Sequence, residues 1–292
     1  MQRPSFLILA ALIALLSACT KGHPFLSTAD TLYELNSGKA LSAAQASRAD
    51  GVYGTLQDTL FGGPQSISFV RFKPEAYTLT VVSAEAPAAD STSAIGLKNH
   101  AIAAINGSYF DMKHLTNATF IKDDGFIITA TTDSVESALS NGAVFLSGGN
   151  LVIDAADTTA AMDDKWWEVM RSGPILYDDG VAATYTEDIP YWKGFYGKKH
   201  PRSVIGVDEE KNIWLIVADG RSEGNAEGMT IAELTELCRM IGLTDALNLD
   251  GGGSSTLWTL QGGVINHPSD NLRFDHEGQR VVPNILAVLG NH

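Results

Sequence analysis

The sequence predicts a single α/β (α+β) domain, built on a mixed, twisted β-sheet with flanking helices. Three observations point to this class: apolar segments of strand length, turns rich in Gly, Asn and Asp between pairs of them, and one well-marked amphipathic helix between two strands. A hydrophobic content of 45% and a charged content of 18% are typical of a globular chain that can bury a full core.

The first 18 residues are expected to be a lipoprotein signal peptide that is not part of the fold. Arg3 supplies a positively charged start, and the apolar run 6–16 is shorter than the about 20 residues that a bilayer-spanning helix needs. Residues 16–19 read LSAC, a bacterial lipobox, so we expect cleavage before Cys19 and a lipid on its thiol. The alternatives are an ordinary signal peptide with a chance cysteine, or a membrane anchor.

The segment 19–48 is rich in Ser, Thr, Ala and Gly and is expected to be a tether, with at most a short helix near 40–48. The globular domain then spans 49–292. If Cys19 carries lipid, Cys238 is left alone and no intramolecular disulfide can form. Cys238 lies in a helical apolar pattern, which favours a buried, inert thiol over a nucleophile.

Strands are predicted at 67–72, 77–82, 101–105, 143–146, 151–153, 203–207, 213–218, 246–249, 256–260 and 281–289. Two pairs of them are separated by short turn sequences and are expected to be β-hairpins. The turns of these hairpins are residues 147–150 and 208–212.

One helix is strongly marked. Thr230 is a good N-cap, Glu233 three residues later completes a capping box, and Gly242 ends the segment. Apolar residues recur between these signals at helical spacing. Weaker patterns predict further helices at 92–100 and 163–170.

The predicted topology gathers polar residues from distant parts of the chain. Arg202 precedes the first strand of the hairpin 203–218 and Asp219 follows its second strand, so both belong to one end of the hairpin. The strand–helix–strand unit that follows should place its two strands parallel, so Asp250 emerges at the same sheet edge as Asp219. One cleft is therefore expected to be lined by Arg202, Asp219, Arg221, Asn248 and Asp250.

The run DGGGSS at residues 250–255 is the most informative segment. Consecutive glycines permit positive φ angles and a close backbone approach, and their N–H groups could form an anion-binding nest. The other interpretation is a tight turn whose glycines are purely conformational, because the lysine of a phosphate-binding P-loop is missing. The predicted substrate-binding residues of this turn are Gly251, Gly252, Gly253, Ser254 and Ser255.

Four other features remain ambiguous in the sequence. Asn106 belongs to the end of a strand, although an Asn-Gly pair usually means a turn. Ser-Gly-Pro at 172–174 is explained by the end of a helix. The aromatic stretch 185–196 could face a sugar, but a locally packed loop is favoured. His267 is interpreted as structural.

Seven segments, taken in order, resemble the phosphodiester glycosidase family across about residues 50–290. They are NGSYFD at 106–111, SGPIL at 172–176, RSVIGVD at 202–208, VADGR at 217–221, GMTIAEL at 228–234, ALNLDGGGSSTLW at 246–258 and RVVPNILAV at 280–288. NGSYF departs from the usual NGGFF form, while Asn106 and Phe110 are kept.

The resemblance implies a hydrolase that cleaves the C1–O bond of a sugar phosphodiester. Asp219 and Asp250 are the predicted catalytic carboxyl pair, since glycoside cleavage generally uses two. A phosphate leaving group is weakly basic, so one carboxylate with good charge stabilisation could also suffice. Arg202 and Arg221 are the predicted phosphate-binding residues. Asn106, Asn248, Ser254 and Ser255 would orient sugar hydroxyls or the phosphate.

Other arrangements of these residues stay open. Arg202 and Asp219 could form a structural ion pair. No cofactor is required, and a divalent metal could be held by Asp219 and Asp250 without being demanded by the spacing.

The expected partner is a carbohydrate or sugar phosphodiester. A formal net charge of −14 argues against nucleic acid and anionic membrane surfaces, so membrane contact is expected only through the N-terminal lipid, in the bacterial cell envelope. Two rival functions are a non-catalytic glycan-binding lipoprotein and a metal-dependent phosphodiesterase that cleaves the P–O bond.

Overall fold

The computed structural model describes residues 51–130, 139–155, 163–185, 188 and 192–291, together with the backbone of 26–27. The predicted signal peptide, Cys19 and the helix expected near 40–48 lie outside the described residues. Within the described part, no helix is long and apolar enough to cross a membrane.

The strands form three larger sheets and two small pairs. The first sheet contains, in spatial order, β1 Leu26–Ser27, β2 Gly51–Leu60, β3 Gly63–Phe72, β17 Ile213–Ala218, β16 Arg202–Asp208, β18 Leu243–Asn248, β14 Ile175–Asp178 and β15 Val181–Ala182. The second contains β10 Phe126–Thr129, β9 Ile121–Asp123, β13 Glu168–Ser172, β11 Gly142–Ser147 and β12 Asn150–Ala155. The third contains β20 Gly263–Val264, β19 Leu257–Thr259, β6 Ala103–Asn106, β22 Asn284–Gly290 and β4 Tyr77–Ser83.

The small pairs and helices complete the described part of the fold. The pairs are β5 Asp90–Ser91 with β21 Val281–Val282, and β7 Phe110–Asp111 with β8 Thr116–Asn117. The α-helices are α1 Thr92–Lys98 and α2 Ile231–Ile241. A π-helix spans Trp192–Tyr196, and a 3-10 turn spans Gly252–Ser254.

The predicted fold class is therefore confirmed only in its coarse form. Strands and helices both occur, but the strands are divided among several sheets where one was expected, and flanking helices are sparse in the described residues. The reason lies in the packing of the strands: sheets that cover one another leave little apolar surface for helices to bury.

Strand β17 is buried on both of its faces. Alternate residues of a strand point to opposite faces. Ile213, Leu215 and Val217 enter the core shared with the second and third sheets. Trp214, Ile216 and Ala218 enter a second core beneath α2. Because both faces are covered, the strand is apolar at every position and not at alternate ones.

The predicted hairpins and the crossover are confirmed. β16 pairs antiparallel with β17, and β11 pairs antiparallel with β12. β16 also pairs antiparallel with β18, so β17 and β18 run parallel to each other with β16 between them. α2 begins after the Thr230 cap with the complete capping box and ends at Gly242 in the left-handed conformation.

The helix predicted at 163–170 is wrong. Glu168–Ser172 is instead β13, which pairs with β11 on one side and β9 on the other. Burial of Val169 and Met170 on the two faces of this strand overrides the weak helical spacing of the segment. The Ser-Gly-Pro sequence at 172–174 therefore follows a strand, and its Gly173–Pro174 peptide bond is cis. It is not a helix stop.

Candidate active site

The structure brings the predicted polar residues to one edge of the first sheet. Arg202 pairs with Ala218 at the end of the hairpin, so Asp219 leaves β17 beside the start of β16. The Leu249 N–H donates to the Ser203 carbonyl at 2.8 Å, which places Asp250 at the same edge. The structure therefore places Arg202, Asp219 and Asp250 at the same edge of the sheet.

Asp250 occupies a half-buried position at this edge. Its Oδ1 accepts a hydrogen bond from the Gly251 N–H at 2.9 Å. Burial, followed by the charge of the Asp250 carboxylate, raises the pKa of the Tyr109 phenol well above its usual value. Asp250 also acts electrostatically on Arg221. The Tyr109 phenol and the Arg221 guanidinium are therefore both within electrostatic range of this carboxylate.

Arg202 is a buried cation that is held by backbone carbonyls. Its side chain is 1% exposed, and burial lowers its pKa to about 10, so it remains charged at neutral pH. Nε donates to the Met229 carbonyl at 2.9 Å, and Nη2 donates to the Phe195 and Lys198 carbonyls at 2.6 and 3.1 Å. No carboxylate of the described residues forms a salt bridge with Arg202. The ion pair considered between Arg202 and Asp219 is therefore wrong.

Arg221 is the more open of the two arginines. It has a left-handed backbone conformation, with φ of 62°, and its Nη2 would lie 2.8 Å from a Cβ added at Gly252. Burial and then the positive charge of Arg280 lower the pKa of Arg221, although Asp270 and Asp250 act in the opposite direction. No hydrogen bond or salt bridge joins its guanidinium to any other described residue.

Asp219 uses both carboxylate oxygens inside the protein. Oδ1 accepts from Asn266 Nδ2 and from the His267 N–H, each at 2.9 Å. Oδ2 accepts from Ser66 Oγ at 2.8 Å and pairs with His267 Nδ1 at 2.9 Å. The carboxyl group is 1% exposed. Asp219 therefore contacts His267, a residue that the sequence pattern did not assign to the site.

The two predicted asparagines join the ends of different sheets. Asn106 Nδ2 donates to the Asp250 carbonyl at 2.7 Å, and its Oδ1 accepts from Ser203 Oγ and the Thr256 N–H. Asn248 Nδ2 donates to Tyr109 Oη and to the Gly173 carbonyl. Both residues are 1% exposed. Asn106 thus holds the backbone of Asp250 directly, whereas the buried Asn248 Oδ1 has no hydrogen-bond partner in the described part of the chain.

The glycine turn uses most of its N–H groups internally. The Gly251 and Gly252 N–H groups donate to Asp250 Oδ1 and the Pro201 carbonyl. Those of Ser254 and Ser255 donate to the Gly251 and Gly252 carbonyls. This leaves few N–H groups for the expected anion-binding nest. The interpretation as a tight turn, whose glycines allow a close approach of the backbone, fits better. Gly253 lies against the Arg280–Asp270 salt bridge, which forms the next wall of the site.

The hydroxyl groups of the same turn behave differently. Ser254 and Ser255 are almost fully buried, and neither Oγ has a hydrogen-bond partner in the described part of the chain. Enclosed hydroxyls without partners are costly, so a bound water or substrate group that reached them would be stabilising.

Replacing Gly251 by alanine tests whether the turn needs close backbone approach. An added Cβ would lie 2.7 Å from the Pro201 carbonyl oxygen, so either the turn or β16 must shift. We expect the free energy of unfolding to fall by about 1–3 kcal/mol, measured by urea denaturation. Gly290→Ala is the matched control, since its Cβ would meet no atom within 4 Å. Equal stability of the two variants would contradict the close-approach interpretation.

The described residues of the aromatic stretch 185–196 pack mainly on one another and on Tyr109. Phe195 contacts Tyr109 and Tyr196 edge-on, with ring centroids 6.2 and 5.2 Å apart, and Tyr185 packs against Tyr196. Phe195 also lies under the Arg202 guanidinium, 4.8 Å from ring centroid to Cζ. The aromatic residues of this stretch therefore pack locally, and the stretch forms one wall around Arg202.

The sheet topology and this edge cluster agree with a known family of hydrolases. A family model described as phosphodiester glycosidase matches residues 99–289, and the chain belongs to this family. The resemblance predicted from the seven sequence motifs is therefore confirmed.

The individual relatives share low sequence identity with this chain. The chain is 28% identical over 160 residues to the mouse N-acetylglucosamine-1-phosphodiester alpha-N-acetylglucosaminidase, covering 54% of this chain and 28% of the mouse protein. The human protein of that name is 30% identical over 105 residues, covering 35% of this chain and 20% of that protein. The chain thus spans less than a third of the length of these relatives.

Solved structures support the same fold. The zebrafish N-acetylglucosamine-1-phosphodiester alpha-N-acetylglucosaminidase catalytic domain, auto-inhibited by its pro-peptide, superimposes with a TM-score of 0.65 at 17% identity. The match covers 82% of this chain and 83% of that one. A hypothetical protein from Synechocystis gives a TM-score of 0.60 at 16% identity, covering 84% of this chain and 65% of that one.

Proposed function

We propose that this chain hydrolyses the C1–O bond of a sugar phosphodiester at the edge formed by Arg202, Arg221 and Asp250. The observation that carries the proposal is the buried Arg202 cation, which has no carboxylate partner in the described residues and lies in the same cluster as a half-buried aspartate. A buried charge without a counter-ion is costly unless a ligand of opposite charge binds there.

The two arginines suit the phosphate group in different ways. The Nε and Nη2 groups of Arg202 already donate hydrogen bonds to backbone carbonyls, so Arg202 contributes mainly a fixed positive charge. Arg221 keeps its guanidinium donors for a ligand, and guanidinium binds phosphate oxygens through two parallel hydrogen bonds. The Arg280–Asp270 salt bridge closes the far side of the glycine turn.

We assign Asp250 as the carboxylate that acts on C1, the reacting carbon of the sugar. As C1–O breaks, the bonding electrons leave with the phosphate oxygen and positive charge develops on the sugar ring. The carboxylate can stabilise that charge or attack C1, and water then supplies the hydroxyl group of the released sugar. The phosphate leaves as a monoester, whose growing charge the arginines stabilise.

The names of the relatives suggest which sugar to test first. The mouse and human proteins are named for an N-acetylglucosamine phosphodiester. We therefore propose N-acetylglucosamine 1-phosphodiesters as the first substrate class for this chain, with other envelope or exported glycans as the next.

The two rival functions receive less support. The residues described contain no group of three or more His, Cys, Asp or Glu side chains arranged to hold a metal ion, as a metal-dependent P–O phosphodiesterase would need. A glycan-binding protein without activity would not need a carboxylate close enough to act electrostatically on an arginine that has no partner among the described residues.

The direct test is sugar release by the protein lacking residues 1–19. UDP-GlcNAc and the methyl diester of GlcNAc 1-phosphate are incubated with it, and free GlcNAc is quantified by chromatography. Release that is proportional to protein concentration supports the proposal. Binding of either compound without release would favour the glycan-binding function instead.

We also propose that the mature chain is lipid-anchored in the bacterial cell envelope through Cys19. The lipobox sequence LSAC supports this location. In cells fed an alkyne-labelled fatty acid, the full-length protein is expected to incorporate label, while Cys19→Ala abolishes it and releases the protein from the membrane fraction. Equal labelling of the two forms would contradict the anchor.

A further inference from the structure

We propose that His267, held by Asp219, is a catalytic residue that transfers a proton at this site, and that Asp219 acts through it as a positioning residue. This inference rests on the proposed function and assigns the part of the chemistry that Asp250 leaves open. It also changes the role expected for Asp219, from a direct member of a carboxyl pair to the partner of a histidine.

The Asp219–His267 contact fixes the chemical form of the ring. Asp219 Oδ2 can only accept a hydrogen bond, so the proton between them belongs to His267 Nδ1, 2.9 Å away. In the neutral ring Nε2 then carries the lone pair, and it can take a proton from water. Three further donors, from Ser66, Asn266 and the His267 backbone, hold the carboxylate rigidly.

The orientation of the ring is also fixed by packing. Phe274 stacks on it with centroids 3.7 Å apart and an interplanar angle of 9°. His276 packs against it with centroids 4.4 Å apart. The side chain is 12% exposed, and no described residue forms a hydrogen bond with Nε2.

His267 belongs to the same region of the fold as the arginines. Asp219 is separated from Arg221 by one residue, and Asn266, next to His267, donates to the Ser255 carbonyl of the glycine turn at 3.1 Å. Three residues after His267, Asp270 pairs with Arg280 against Gly253.

A histidine–carboxylate pair meets a specific need of the proposed reaction. The phosphate leaving group is weakly basic and requires little protonation, so the harder step is the activation of water. In our assignment Nε2 accepts a water proton while the water oxygen bonds to C1 and the C1–O bond breaks toward phosphate. When Asp250 attacks first, the same base activates the water that releases the sugar. Correct orientation by a buried carboxylate is what makes such a base effective.

The test compares kcat/KM for the protein described above with its His267→Asn, Asp219→Asn and His114→Asn variants; His114 forms an exposed histidine–carboxylate pair with Asp111 and is the matched control. Asn at 267 can keep a donor toward Asp219 while removing the Nε2 base. We expect kcat/KM to fall about 10²- to 10⁴-fold for His267→Asn and Asp219→Asn, and to change less than about fivefold for His114→Asn. Thermal unfolding checks that each variant is folded.

Imidazole rescue separates catalysis from structure. Added imidazole should restore part of the His267→Asn rate and none of the Asp250→Asn rate.

A folded His267→Asn variant with wild-type kcat/KM would overturn the inference while leaving the proposed function intact. An inactive parent protein would overturn both. A loss of rate that imidazole does not restore would mean that His267 is only structural.

Discussion

Asp250→Asn is expected to abolish most sugar phosphodiester hydrolysis. The change removes the negative charge beside Tyr109 and Arg221, while Asn Oδ1 can still accept the Gly251 N–H. The fold should therefore persist, and kcat/KM should fall by about 10²- to 10⁴-fold, as for the loss of a positioned catalytic carboxyl group. Initial rates with UDP-GlcNAc at saturating and low substrate concentrations give kcat and kcat/KM separately.

The control for this variant is Asp154→Asn. Asp154 is an exposed carboxylate on β12, in a sheet that carries none of the predicted site residues. Its Oδ1 accepts the N–H of the following residue, as in Asp250, so the local chemistry is matched. Wild-type rates in Asp250→Asn would mean that the catalytic assignment is mistaken, even with the fold and family unchanged.

Arg202→Ala should produce the second large effect, on stability as well as activity. The buried guanidinium bonds to the carbonyls of Met229, Phe195 and Lys198, so it ties the segment before β16 to the start of α2. Its removal leaves these carbonyls without a donor in a buried region. We expect the free energy of unfolding to fall by about 3–5 kcal/mol in urea denaturation.

Arg202→Lys separates the charge from the fold. Lysine keeps a positive charge but cannot reproduce the fork of donors to three carbonyls. We expect weaker phosphodiester hydrolysis, by about 10- to 100-fold in kcat/KM, with a smaller loss for an aryl N-acetylglucosaminide that has no phosphate. Equal losses on both substrates would show that Arg202 supports the fold without contributing to phosphate recognition.

The sequence was sufficient to predict which residues meet at the sheet edge. A hairpin and a crossover each constrain strand direction, so the positions of Arg202, Asp219 and Asp250 follow from chain order alone. Helix α2 could also be predicted from the sequence, because its cap and its terminal glycine are local signals.

The sequence does not predict which groups form hydrogen bonds with these residues. His267 reaches Asp219 across 48 positions in sequence, through a long connection that follows β20 and has no periodic pattern. Arg202 was predicted to bind phosphate, with an ion pair to Asp219 as the alternative, yet its partners in the protein are backbone carbonyls, which carry no sequence signature. For the same reason Asn106 and Asn248 look like ligand-binding residues in the sequence, although their amides connect sheets.

The division into several sheets also depends on long-range packing. Strand periodicity marks where a strand is, but the partner of a strand is decided by the surfaces that it covers. β3 and β4 follow one another in the chain and still belong to different sheets. The segment containing β13 shows the same limit, since pairing on both sides overrode its helical spacing.

The central claim is cleavage of the C1–O bond, and the position of solvent oxygen in the products tests it most directly. Hydrolysis of GlcNAc 1-phosphate methyl diester is carried out in water enriched in oxygen-18, and both products are analysed by mass spectrometry. The label should appear in the released sugar, with the methyl phosphate unlabelled. Label in the phosphate product would show attack at phosphorus and would contradict the glycosidase assignment.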